Sequence, residues 1–93
     1  MSKLKDGEYK GRGLGHNGEI EVNVKVKNGK VNSINVLRQN EDTGIGGEAF
    51  SRLEDEIVKK QTYIVDAISG ATNTSNGLKE AVKEAFDKAL VKN

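Results

Sequence analysis

The 93-residue chain has no cysteine, no proline and no tryptophan, and His16 is its single histidine. Without cysteine there is no disulfide to staple a small fold, no thiolate to hold a metal and no sulfur nucleophile. One histidine leaves too little material for a histidine-clustered metal site or a Ser-His-Asp triad. No metal site and no catalytic residue is therefore expected, and redox chemistry here has to be brought by an organic cofactor. Two tyrosines and two phenylalanines are all the aromatics, so the core falls to Val, Ile, Leu and Ala. Long apolar runs are also missing, which excludes a direct membrane span. The opening MSKLKDGEYKG has none of the apolar stretch of a signal peptide. A cytoplasmic protein, or a piece of a longer chain, is the expectation. Fifteen Lys and Arg against 14 Asp and Glu are scattered along the chain. No basic stripe forms, and a nucleic-acid partner is not expected.

What is present is a clear periodicity. Residues 19–26, EIEVNVKV, alternate strictly, with Ile20, Val22, Val24 and Val26 on one face, as in a half-buried strand. Asn28-Gly29 marks a turn into a second apolar run. A three-residue loop, Lys27 to Gly29, places Val22 opposite Ile34 and Ile20 opposite Val36, which unites the apolar faces better than a two-residue loop. Upstream, residues 8–15 (EYKGRGLG) read as another strand whose glycines mark a bend or a close approach by another group. Gly13, Gly15 and Gly18 spell GxGxxG. They lead into a strand, however, where the dinucleotide fingerprint needs a helix. Helical spacing follows over 47–60, through Ala49, Phe50, Leu53, Ile57 and Val58. A cleaner stripe runs through Leu78, Ala81, Val82, Ala85, Phe86, Ala89 and Leu90. One domain over 1–93 is expected: α+β, a small antiparallel sheet of three to four strands packed against two helices, with a pre-helix SGAT loop.

That loop lies in DAISGATNTS, residues 66–75, where Ser69, Thr72, Thr74 and Ser75 gather within ten positions. A helix start offers unpaired N–H groups and a positive dipole end, both favourable to anions. Gly70 and Ala71 keep the approach open, and the hydroxyls add donors. A plain helix cap, at Thr74 or Ser75, accounts for part of the same pattern. On local physics a cap and a phosphate site stand level.

The run Asp66-Ala67-Ile68-Ser69-Gly70-Ala71-Thr72, continuing to Thr74-Ser75, resembles the flavinylation motif D-x-x-[S/T]-G-A-[T/S] of the FMN-binding domain family. That family includes subunits of the sodium-pumping NADH:quinone oxidoreductase and Rnf-type complexes, and parts of fumarate-reductase-like flavoproteins. DGEYKGRGLGHNGEIEVNVKVKNGKVNSINV resembles the family's opening, and NEDTGIGGEAF resembles its E-T-P-G-x-G segment, although here Thr43 runs directly into Gly44 without the proline. The resemblance implies a small electron-relay module rather than a self-contained enzyme. It implies that a flavin transferase, using FAD and Mg²⁺, attaches FMN through its phosphate to Thr72 and releases AMP. The other partners implied are redox proteins or fused reductase domains, and family members that receive FMN are often exported.

By the same resemblance Ser69, Gly70, Ala71, Thr74 and Ser75 line the phosphate. Glu41, Thr43, Gly44, Ile45 and Gly46 contact the flavin ring from a glycine-bearing loop, or form a simple loop before a helix. Asp66 belongs to the motif either as an Asx-turn or as a recognition element for the transferase. His16 reads as a solvated turn residue, and Tyr9 and Tyr63 as core or rim aromatics. Two rival functions stay open: a flavin reductase with exchangeable FMN, and a flavin-free interaction module.

Overall fold

The computed structural model describes residues 4–15, 17–39, 43–68 and 70–90, with side chains in the first helix from residue 49 onward. His16, Glu41 and Ser69 lie outside the described residues. In chain order the elements are β1 (Gly7–Gly15), β2 (Gly18–Lys27), β3 (Lys30–Arg38), α1 (Thr43–Lys60) and α2 (Thr72–Ala89). The strands form one antiparallel sheet in the order β1-β2-β3, which with the two helices is the expected α+β arrangement. The alternating segment behaves as its pattern dictates. Ile20, Val22 and Val24 have no exposed surface and Val26 almost none. Burying each of these side chains is worth about 1.5–3 kcal/mol against leaving it in water.

The β2–β3 register departs from the expected one. Asn28 and Gly29 have φ of 56° and 76°, the positive pair that a two-residue type I′ turn requires. Lys27 therefore faces Lys30, and Val26 faces Val31. A shift then falls between Val26 and Lys25, which faces Ser33, so that Val24 meets Ile34 and Val22 meets Val36. The extra residue, Asn32, is a bulge that moves the alternation of β3 by one place. Val31 and Ile34 are both buried, and residues three apart share a strand face only across such an insertion. A tight turn plus a bulge thus unites the apolar face that a longer turn was expected to unite.

Glycine sets how closely α2 lies on β1. A Cβ at Gly11 or Gly13 would run into the carbonyl oxygen of Ala81 or Gly77, and one at Gly77 would stand 2.6 Å from the Gly15 nitrogen. Backbone meets backbone here, with no side chain between them. The GxGxxG glycines accordingly serve a hairpin, in which Gly15 pairs with Gly18, and not a dinucleotide loop. Leu78, Ala81, Val82, Ala85, Phe86 and Ala89 of α2 are buried in the core beside this contact.

Both sheet edges meet side chains from the helical layer, from α2 on one side and from the residue just after α1 on the other. On β1, Arg12 N–H donates to Glu84 Oε1 at 3.2 Å and the Lys88 ammonium donates to Lys10 O at 2.7 Å. On β3, the Gln61 side-chain amide imitates a strand. Val31 N–H donates to its Oε1 at 2.8 Å, and its Nε2 donates to Val31 O at 3.0 Å. These contacts satisfy backbone groups that an open edge would offer to another chain.

Helix α1 begins four residues before the expected start, at Thr43. Gly44 and Gly46 each lower helix propensity by about 1 kcal/mol, which is why the pattern alone leaves them in a loop. Ala49, Phe50, Leu53 and Ile57 are buried, and a helix already anchored by that face gains a hydrogen bond for each residue it adds upstream. Tyr9 and Tyr63 are half-buried at the core margin, and Tyr63 meets Phe86 edge-on, with ring centroids 5.8 Å apart.

Candidate functional site

The topology brings three glycine-bearing segments to one end of the molecule. The β1–β2 tip lies there, and Gly77 of α2 packs against Gly15 and Leu14, which sets the start of α2 beside that tip. Strand β3 finishes at the same end, with Arg38 facing Glu21. Helix α1 starts a few residues later and runs back along β3, as its far end shows through the bonds between Gln61 and Val31. The chain then returns over residues 62–71 to the start of α2. The two helix N-termini therefore open towards one end, and neither carries an acidic residue in its first turn. The positive dipole end of a helix favours an anion.

At the start of α2 the chain makes a closed turn. Ala71 N–H donates to Ile68 O at 2.9 Å. Gly70, in the third position of that turn, has φ of +86°. Glycine adopts a positive φ of this kind without strain. Space is not the constraint at Gly70, since a Cβ would meet nothing within 4 Å. Helix α2 follows at once, with Thr72 as its first and solvent-exposed residue. The residue before it, Ala71, gives no side-chain cap to the first turn.

The hydroxyl cluster divides by position. Thr72 is exposed, whereas Thr74 keeps only 7% of its surface and Ser75 none. Capping by Thr74 or Ser75 does not occur, because the helix starts at Thr72 and both lie within its first turn. Apolar packing downstream has again carried a helix further upstream than its propensities suggested. Ser75 Oγ instead accepts a hydrogen bond from Ile68 N–H at 3.0 Å. That N–H is the donor an Asx-turn at Asp66 would use, so Asp66 is free of that duty and stands exposed. It lines an open groove of about 590 Å³ with Ala67, Ile68, Arg52, Asp55, Glu56, Lys59 and Lys60. Nothing in the spacing of Arg52, Lys59 and Lys60 along the sequence announces that the 66–68 segment lies alongside.

Of the segment expected to contact a ring, Thr43, Gly44, Ile45 and Gly46 form the first turn of α1 rather than a loop. Their backbone sits at the same end as Thr72, and their side chains fall outside those described. Further along α1, burial, reinforced by the charge of Asp55, raises the Glu54 carboxyl above its ordinary value of 4.5.

These residues suit a phosphate group. An exposed hydroxyl on the first residue of a helix without a side-chain cap, next to a glycine turn with free space around it, offers an anion hydroxyl and backbone donors. The FMN-binding domain profile matches residues 15–87. The chain belongs to the FMN-binding domain family. This FMN-binding domain is 39% identical over 87 residues to the NADH:acrylate oxidoreductase of Vibrio harveyi, matching 94% of the chain but 9% of that protein. It is 36% identical over 84 residues to the urocanate reductase of Eggerthella lenta, covering 90% of the chain and 14% of the relative. With the NADH:fumarate oxidoreductase of Klebsiella pneumoniae it shares 35% identity over 74 residues, 80% of the chain and 8% of that protein. The domain thus corresponds to a small part of much longer reductases. Among its described residues, no helix is long and apolar enough to cross a membrane.

Proposed function

We propose that this domain carries one FMN as a phosphoester of Thr72 and relays electrons between redox partners, whether separate proteins or fused reductase domains. The observation that carries the reading is the exposure of Thr72 at the uncapped start of α2, beside the Gly70 turn. A flavin transferase acting on FAD with Mg²⁺ would form the ester. The Thr72 oxygen bonds to the phosphorus on the FMN side of FAD, the bond from that phosphorus to the bridging oxygen breaks, AMP leaves, and the hydroxyl proton passes to solvent or to a base of the transferase. The first-turn N–H groups of α2 face the resulting phosphate charge. Asp66, exposed on the neighbouring groove, serves recognition by the transferase. It is better placed for this than for phosphate binding, where like charges would repel.

When attached, FMN supplies the electron-transfer chemistry that no side chain of this chain offers, and the protein supplies attachment and orientation. Attachment also suits an open site, because an ester removes dissociation where little of the cofactor would be enclosed. The length of the reductase relatives supports a relay role within or between larger units.

Intact mass after co-expression with a matched flavin transferase tests the proposal. Wild type should gain one FMN less one water, and Thr72→Ala should gain nothing. A gain retained in Thr72→Ala would move the attachment elsewhere. No gain in either would refute covalent linkage, and titration of the unmodified domain with FMN would then separate an exchangeable flavin from a flavin-free module.

A further inference from the structure

The residues around Thr72 have different fates, and Ser75 is the one that fits least with a ligand role. Its side chain has no exposed surface, so its hydroxyl cannot reach a phosphate held in solvent at Thr72. Its oxygen is engaged from inside, by the N–H of Ile68 at 3.0 Å. The carbonyl of the same residue, Ile68, accepts from Ala71 N–H at 2.9 Å. Both polar backbone groups of Ile68 are thereby tied to the start of α2. Ile68 is the first residue of the turn that delivers Gly70, Ala71 and Thr72. Its own side chain packs against the core. Ser75 is itself held by the helix, its N–H donating to Ala71 O at 2.9 Å.

We infer that Ser75 is a positioning residue, a buried latch that fixes the Ile68–Ala71 turn to the first turn of α2 and so presents the Thr72 hydroxyl for modification, without contacting the flavin. The inference rests on Thr72 as the acceptor. The chemistry is that of one hydrogen bond of ordinary length, from a half-buried N–H to a hydroxyl with no exposed surface. Ser75→Ala takes that partner from the Ile68 N–H, which favours opening of the turn. An acceptor hydroxyl displaced by a fraction of an ångström then meets the transferase in the wrong orientation. A hydroxyl that merely filled space would have neither effect, because alanine fills nearly the same volume.

The test pairs Ser75→Ala with Val26→Ala, a buried strand residue at the far end of the sheet that controls for lost stability. Both are assayed below the temperature at which either unfolds. Amide hydrogen exchange at Ile68 should quicken about ten-fold in Ser75→Ala and remain unchanged in Val26→Ala. The kcat/KM for flavin transfer should fall on the order of ten-fold in Ser75→Ala alone. If Ser75→Ala fails to fold, Ser75→Cys, close in shape but a weak acceptor, takes its place. Wild-type exchange at Ile68 together with a wild-type transfer rate would overturn the inference, as would equal losses of transfer in Ser75→Ala and Val26→Ala. A wild type that accepts no flavin would refute Thr72 as acceptor, and Ser75 would then present nothing. Ile68 exchange reports the latch separately, since it needs no flavin.

Discussion

Replacing Gly77 by alanine sets two effects of opposite sign against each other. Glycine within a helix is about 1 kcal/mol worse than alanine, so on propensity alone the substitution stabilises. The structure reverses that sign. A Cβ on residue 77 would lie 2.6 Å from Gly15 N and 2.7 Å from both Gly15 Cα and Leu14 C. Ordinary contact begins near 3.4 Å, so α2 has to retreat from β1 by roughly 0.8 Å. All three obstacles are backbone or backbone-bound atoms of a paired strand, and none swings aside as a side-chain tip would. A gap of that size forfeits about a quarter to a half of the dispersion energy of each contact it opens. Overpacking of this kind costs about 1–3 kcal/mol, which leaves a net loss of up to about 2 kcal/mol once the helix gain of about 1 kcal/mol is set against it. For a domain of this size the melting temperature should fall by up to about 16 °C. Asn76→Ala, at the neighbouring exposed position, supplies the propensity gain without the clash and should raise the melting temperature slightly. Thermal unfolding of wild type and both variants by circular dichroism decides the matter. A Gly77→Ala domain as stable as Asn76→Ala would refute the backbone-on-backbone contact between α2 and β1.

Two further outcomes test the frame around the site. Asp6 accepts from Gly29 N–H at 2.8 Å and Asn28 N–H at 3.0 Å, and those two bonds, Gly29 first, hold its carboxyl below the ordinary 3.8. Its folded-state pKa is depressed, so its stabilisation is present above 3.8 and is lost as the pH falls through the folded value; Asp6→Asn should lose stability near neutrality and show a shallower decline on acidification, read from urea midpoints at pH 6 and pH 3. Gln61→Ala removes the amide that pairs with Val31 N–H and O, and should cost about 1–3 kcal/mol in urea unfolding through the unpaired backbone groups left behind; an unchanged midpoint would show that water replaces the amide freely.

Much of the candidate site was legible because its signals are local. Four hydroxyls around Gly70, directly before an amphipathic stripe, speak of a helix start with exposed donors, and the structure puts Thr72 on that first helical position. Other assignments failed for non-local reasons. Thr74 and Ser75 have the side chains of good caps, yet the packing of Leu78, Ala81 and Val82 on the sheet draws the helix start upstream of them. The cations Arg52, Lys59 and Lys60 acquire a relation to Asp66 through the return of the chain along α1, which no spacing in the sequence encodes.

The division follows from how far each interaction reaches along the chain. Period-two alternation in 19–26 and the stripe from Leu78 to Ala89 suffice by themselves for a strand and a helix, because every residue in them answers to the same face. The sequence alone also settled that any redox chemistry would not come from cysteine or a histidine cluster, by omitting the one and keeping a single histidine. The register of β3 waited for tertiary structure, since the turn at Asn28-Gly29 and the burial of Ile34 make conflicting demands that the Asn32 bulge reconciles. So did the meaning of Gly11, Gly13 and Gly77, which read as flexible residues until α2 is laid on β1 and their missing side chains become the space for the contact. Ser75 waited too. Only the fold brings Ile68 N–H to its oxygen and turns a surface hydroxyl of the sequence into a buried latch beside Thr72.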